Sequence, residues 1–162
     1  MKKLLLSISL LSFMFLGPLA PSIAEDDDTM KVVYHADFAD PRRMSAMITS
    51  ITNMVTTYTS DLIEFDVRIV FVAHGIRFLT QDKLAKTPFA EDAKLAKVKA
   101  SIMERLAGLE DVYGVKLELC DITRQGIKLK KEKLMPKVNL VRSGVVQIAT
   151  LQKKGFAYLK VE

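Results

Sequence analysis

Val67-Arg68-Ile69-Val70-Phe71-Val72-Ala73 is apolar throughout except for Arg68, and it runs directly into His74-Gly75. An apolar run without alternation is the pattern of a strand buried on both faces, and such strands belong to parallel sheets covered by helices. Towards the N-terminus, Lys31-Val32-Val33-Tyr34-His35 reads as a first short strand. Asp40-Pro41 supplies an N-cap and a first helical residue. Met44, Met47, Ile48, Ile51, Val55 and Tyr58 then recur at helical spacing, and the methionines read as core filler. Towards the C-terminus, residues 76–86 read as a short helix or loop. Thr87-Pro88 restarts a helix whose inner face is Leu95, Val98, Ile102, Leu106 and Leu109, and Gly114 turns the chain out of it.

Val115–Cys120 is a third strand. Thr123 is placed to cap a helical segment, Gly126 interrupts it and Pro136 ends the region. Val138–Val141 is a fourth strand, Ser143-Gly144 opens a helix through Lys154, and Gly155 suits its C′ position. Phe156–Val161 closes the domain. The order βαβαβαβαβ requires crossover connections. It predicts an α/β fold, a three-layer α/β/α sandwich with a mainly parallel five-stranded sheet.

The chain begins differently. Lys2 and Lys3 precede an apolar stretch, Leu4–Leu16, and Gly17-Pro18 breaks it. Ser22-Ile23-Ala24 fits a signal peptidase site, so residues 1–24 read as a cleavable signal peptide and the expected location is periplasmic. The stretch is short for an uncleaved membrane anchor, and no membrane association is expected after cleavage. Residues 25–29 form an acidic segment, and the domain occupies 30–162.

The full chain of 162 residues carries 24 Lys+Arg and 19 Asp+Glu, a formal charge of +5. Loss of Lys2 and Lys3 lowers this by two, to +3. That excess is too small to argue for nucleic acid. Lys128, Lys130, Lys131, Lys133 and Lys137 lack interleaved aromatics and read as a solvated face.

Ligands of parallel sheets bind beyond the C-terminal strand ends. His35 ends the first strand, His74 ends the second, and Cys120, the chain's one cysteine, ends the third. A lone cysteine is an inert buried thiol, an intermolecular partner or a reactive group. By strand parity Cys120 falls with Lys116 and Glu118, off the face of Val115, Leu117 and Leu119, where a core cysteine is expected. A helix starting near Thr123, together with Arg124, would lower its pKa, and Asp121 would oppose them. Cys120 with His35 and His74 suits a soft metal by ligand type, but no two of the three have close ligand spacing, and neither metal nor cofactor is expected.

Lys31–His35, Val70-Phe71-Val72-Ala73-His74-Gly75, Leu117-Glu118-Leu119-Cys120 followed by Thr123, and Ser143-Gly144-Val145 resemble the DsrE/DsrF-like family. Leu151-Gln152 and Gly155-Phe156-Ala157-Tyr158 extend the resemblance over the whole mature chain. It implies frequent homo-oligomers and sulfur handling, in which a cysteine carries sulfane sulfur as a persulfide and passes it to the thiol of a partner protein. By position that role falls on Cys120, with His74, His35, Gly75 and Thr123 around it to bind the donor or handle the proton. Two alternatives stand beside this one: a non-catalytic oligomeric ligand-binding or assembly module, and a soft-metal binder.

Overall fold

The computed structural model describes residues 28–162. The expected signal peptide and most of the acidic segment lie outside them. Five strands form one sheet: β1 (Met30–Ala36), β2 (Phe65–Phe71), β3 (Lys116–Cys120), β4 (Asn139–Val141) and β5 (Ala157–Leu159). Their spatial order is β4-β3-β2-β1-β5, and every pairing is parallel. The predicted three-layer α/β sandwich is the observed one.

The layers follow from the direction of travel. From β1 to β3 the chain steps one way across the sheet through α1 (Pro41–Ser60) and α2 (Ala93–Tyr113), which cover one face. It then returns from β4 past three strands to β5 through α4 (Gly144–Lys153). Right-handed crossovers that travel in opposite directions must use opposite faces, so α4 covers the second face. The short α3 (Asp121–Gly126) sits at the C-terminal end of β3.

The two faces are unequal. Val32, Tyr34, Ile69, Phe71, Leu117 and Leu119 point toward α1 and α2 and belong to the large core. On the α4 face the apolar cluster is small: Val33, Val70, Ile148, Leu151 and Phe156. The rest of that face is polar but still covered. Glu118, 4% exposed, accepts from Arg68 Nη1 at 3.0 Å and from Gln147 Nε2 at 2.8 Å. Arg68 also bonds both oxygens of Asp66 and lies over the Phe156 ring.

Some predicted elements shift. Asp40 caps α1 as expected, its carboxylate accepting the Arg42 and Arg43 N–H groups. The second long helix starts at Ala93 rather than at Thr87-Pro88, because Asp92 is the residue whose side chain accepts from Lys94 and Leu95. The Thr87 hydroxyl serves a local turn instead, accepting from Phe89 and donating to Leu84. Val98, expected inside, is 41% exposed. Lys99 takes the interior place, bonded to Glu91 and to the Asp82 carbonyl. Among the described residues no helix is long and apolar enough to cross a membrane.

Candidate functional site

Cys120 is the last residue of β3 and the N-cap of α3. Parity places it on the α4 face, as read from the sequence, but that face is not open. Cys120 is 5% exposed. The expectation that a buried cysteine must share the face of Leu117 and Leu119 fails because α4 roofs the polar face as well. Even so, Cys120 belongs to neither apolar cluster.

Its neighbours are hydrogen-bond donors. The backbone N–H groups of Gly144, Thr123 and Ile122 and the Thr123 hydroxyl surround the sulfur and favour its charged form. Burial pushes the thiol pKa up, but these donors outweigh burial and leave it below the ordinary 9.0. The predicted direction is therefore right, and so is the helix start as a cause, since Ile122 and Thr123 lie in the first turn of α3; the predicted help from Arg124 is absent. Arg124 is occupied elsewhere, bonding Asp121 at 2.5 Å and the Leu129 carbonyl at 2.6 Å.

Two glycines make this arrangement possible. Gly144 opens α4 directly over the thiol. A Cβ there would lie 2.5 Å from Val72 Cγ2 and 3.1 Å from Cys120 Cβ, so only glycine brings its N–H this close. Sequence reasoning does not place Gly144 at the site, although the Ser143-Gly144 pair after a strand is its visible signal. Gly75 packs its backbone against the end of β1. A Cβ on it would lie 2.1 Å from the Ala36 carbonyl oxygen. It lets the 3-10 turn Ala73–Phe78 fold back on the end of β1.

Thr123 is not a helix cap. Its hydroxyl oxygen accepts the Ala73 N–H at 3.1 Å, where Ala73 holds a left-handed φ of 49°. That bond ties the turn after β2 to α3. It leaves the hydroxyl proton free to point at Cys120.

The histidines do not converge on the cysteine. His35 lies on the same sheet face, but β2 separates its strand from β3, which sets the two backbones about 10 Å apart. Its Nδ1 is 3.0 Å from Tyr158 Oη, and its buried Nε2 lies 3.9 Å from Asp37. Burial lowers its pKa, against the opposing pull of Asp37. His74 lies in the turn after β2, not at the strand end, and packs edge-on to Phe89 with centroids 5.2 Å apart. Neither histidine hydrogen-bonds Cys120 among the described residues. Nor do the described residues hold three His, Cys, Asp or Glu grouped to bind a metal.

The model of the DsrE/DsrF-like family matches residues 30–161. A protein of unknown function from Methanobacterium thermoautotrophicum, MTH1491, is similar in structure with a TM-score of 0.59 and 24% identity. That match covers 81% of this chain and 98% of that one. The YchN protein from E. coli matches with a TM-score of 0.52 and 16% identity, over 82% of this chain and 99% of its own. These two likenesses carry the fold alone. No curated protein matches.

Proposed function

We propose that this chain, which belongs to the DsrE/DsrF-like family, is an exported sulfur carrier that forms a persulfide on Cys120. The observation that carries the reading is the ring of donors at the thiol: three backbone N–H groups and one hydroxyl that lower its pKa despite burial. Only the thiolate is a nucleophile toward sulfane sulfur. Thiosulfate is the simplest donor with which to write the step. The Cys120 thiolate attacks its outer sulfur, a new S–S bond forms, the donor's S–S bond breaks, and sulfite leaves with the electron pair. Cys120 then bears a persulfide anion. An acceptor thiolate takes the terminal sulfur and regenerates the Cys120 thiolate. The donors around the sulfur stabilise negative charge at the start and end of each step.

The same N–H groups do not require either histidine, so His35 and His74 have no part in this mechanism. Exposed Ile122, Val145 and Val146 stand on the first turns of α3 and α4, beside the thiol. Such an apolar rim supports docking of a second protein chain, either another copy in a homo-oligomer or a thiol-bearing acceptor. The signal-peptide pattern of residues 1–24 supports a periplasmic location, which N-terminal sequencing of the protein from the periplasmic fraction checks.

The decisive measurement is intact mass after incubation with thiosulfate or polysulfide. Gain of one sulfur, absent in Cys120→Ser, is the expected result. An unmodified thiol under both donors refutes the carrier reading.

A further inference from the structure

The layer opposite Cys120 carries a feature the sulfur chemistry does not use. α1 and α2 lie side by side, and their N-terminal halves leave a groove of about 550 Å³ between them. This is within the size range of small-molecule sites, roughly 300–1,000 Å³. Its floor is apolar, from Pro41, Val98 and Ile102, and its walls carry Arg42, Lys94, Lys97 and Arg105.

The charge there is unbalanced. Asp40 is the lining carboxylate: its Oδ1 caps α1 and its Oδ2 lies 4.0 Å from Arg42 Nη2, which leaves one acid against four lining cations. α1 has no acidic residue from Pro41 to Ser60. Arg105 bonds neutral oxygens instead: Ser45 Oγ at 2.6 Å, the Ser45 carbonyl at 3.2 Å and Thr49 Oγ1 at 2.9 Å. The nearby Asp92 is taken by Arg77 at 2.8 Å. Arg42 and Lys94 stand in first turns that contain no acid, where the helix dipole is already positive.

We propose that this groove binds an amphiphilic organic anion. The carboxylate or sulfonate head sits among Lys94, Lys97 and Arg105, and a short apolar body lies on Val98 and Ile102. Neither part suffices alone: the cations select the sign of the ligand, and the apolar floor selects against a bare inorganic ion.

Calorimetric titration of the full chain tests this, with octanoate, octylammonium and sulfate as probes. Octanoate should bind one per chain, weaken as salt rises, and bind equally to Cys120→Ser. Sulfate should bind at least about tenfold more weakly, because it makes no use of the apolar floor. Lys94 and Lys97 are exposed, so Lys94→Gln with Lys97→Gln should leave thermal unfolding unchanged while lowering octanoate affinity at least about tenfold. The proposal is overturned by absence of octanoate binding or by equal binding of octylammonium. Equal binding of sulfate, or undiminished octanoate affinity in the double variant, overturns it as well.

Discussion

Replacing Thr123 by valine removes one oxygen and keeps the shape. That oxygen serves two partners: it accepts the Ala73 N–H at 3.1 Å and donates toward Cys120. Valine leaves the Ala73 N–H, held at a left-handed φ, without its acceptor. An unsatisfied backbone donor costs about 1–3 kcal/mol. That is a fraction of the roughly 5–15 kcal/mol of a typical domain, so the variant should still fold. The thiolate loses a donor at the same time, and the Cys120 pKa should rise. Because the chain has one cysteine, thiolate absorbance in the ultraviolet, taken as the difference from Cys120→Ser, reports this site alone. Urea unfolding supplies the stability. Linkage joins the two readouts. A thiol whose folded pKa is depressed contributes stability above its unfolded pKa, near 9.0, and loses it as pH falls through the folded value. Wild-type stability should therefore climb with pH across that window, and Thr123→Val should flatten the climb. Thr123→Ser keeps the hydroxyl and should restore both. An unchanged thiol titration in Thr123→Val would refute the account of the donor ring.

Three further perturbations test other parts of the structure. Gly144→Ala places a methyl 2.5 Å from Val72 and 3.1 Å from Cys120; the crowding should cost about 1–3 kcal/mol in urea unfolding and raise the thiol pKa by lifting the Gly144 N–H. Glu118→Gln removes one of the two carboxylates on Arg68 but leaves Asp66, so a loss of about 1–3 kcal/mol is expected by the same assay, with sulfur loading by intact mass unchanged. His35 is held neutral by burial, with its pKa below the ordinary 6.5. Its contribution is present above 6.5 and lost as pH falls through the folded value, so acid unfolding of His35→Gln should show a shallower pH dependence than wild type between neutral pH and that value.

The sheet was legible in the sequence because buried parallel strands announce themselves. Val67–Ala73 needed no partner to be recognised, and the Asp40-Pro41 start of α1 rested on local chemistry alone. Where two capping signals competed, local chemistry was not enough. Thr87-Pro88 reads as the helix start, but the helix begins after Asp92, which Arg77 also anchors from the preceding turn. The site was legible in position but not in company. Parity put Cys120 on the right face, yet the roof over that face comes from α4, which is 24 residues further on. The burial of Glu118 is not visible locally because its partner Arg68 lies fifty residues away in sequence. The histidines misled for a related reason. Strand ends fix where a backbone stops, but the side chains of His35 and His74 went to Tyr158 and Phe89, contacts no spacing rule contains.

Burial of Cys120 taken alone would argue for an inert thiol, since removing a thiolate from water raises its pKa. The argument reverses once the surroundings are counted. The same exclusion of water that penalises the charge also strengthens each N–H bond made to it, and here the donors win. What decides the balance is whether backbone can come close, and that is a property of residue 144. A side chain there would stand between the first turn of α4 and β3, pushing the helix off Val72 and carrying its N–H away from the sulfur. A lone cysteine at a strand end is therefore an incomplete signature. The pairing of Cys120 with a glycine that opens the helix over it is what lets backbone donors offset the cost of burying the charge.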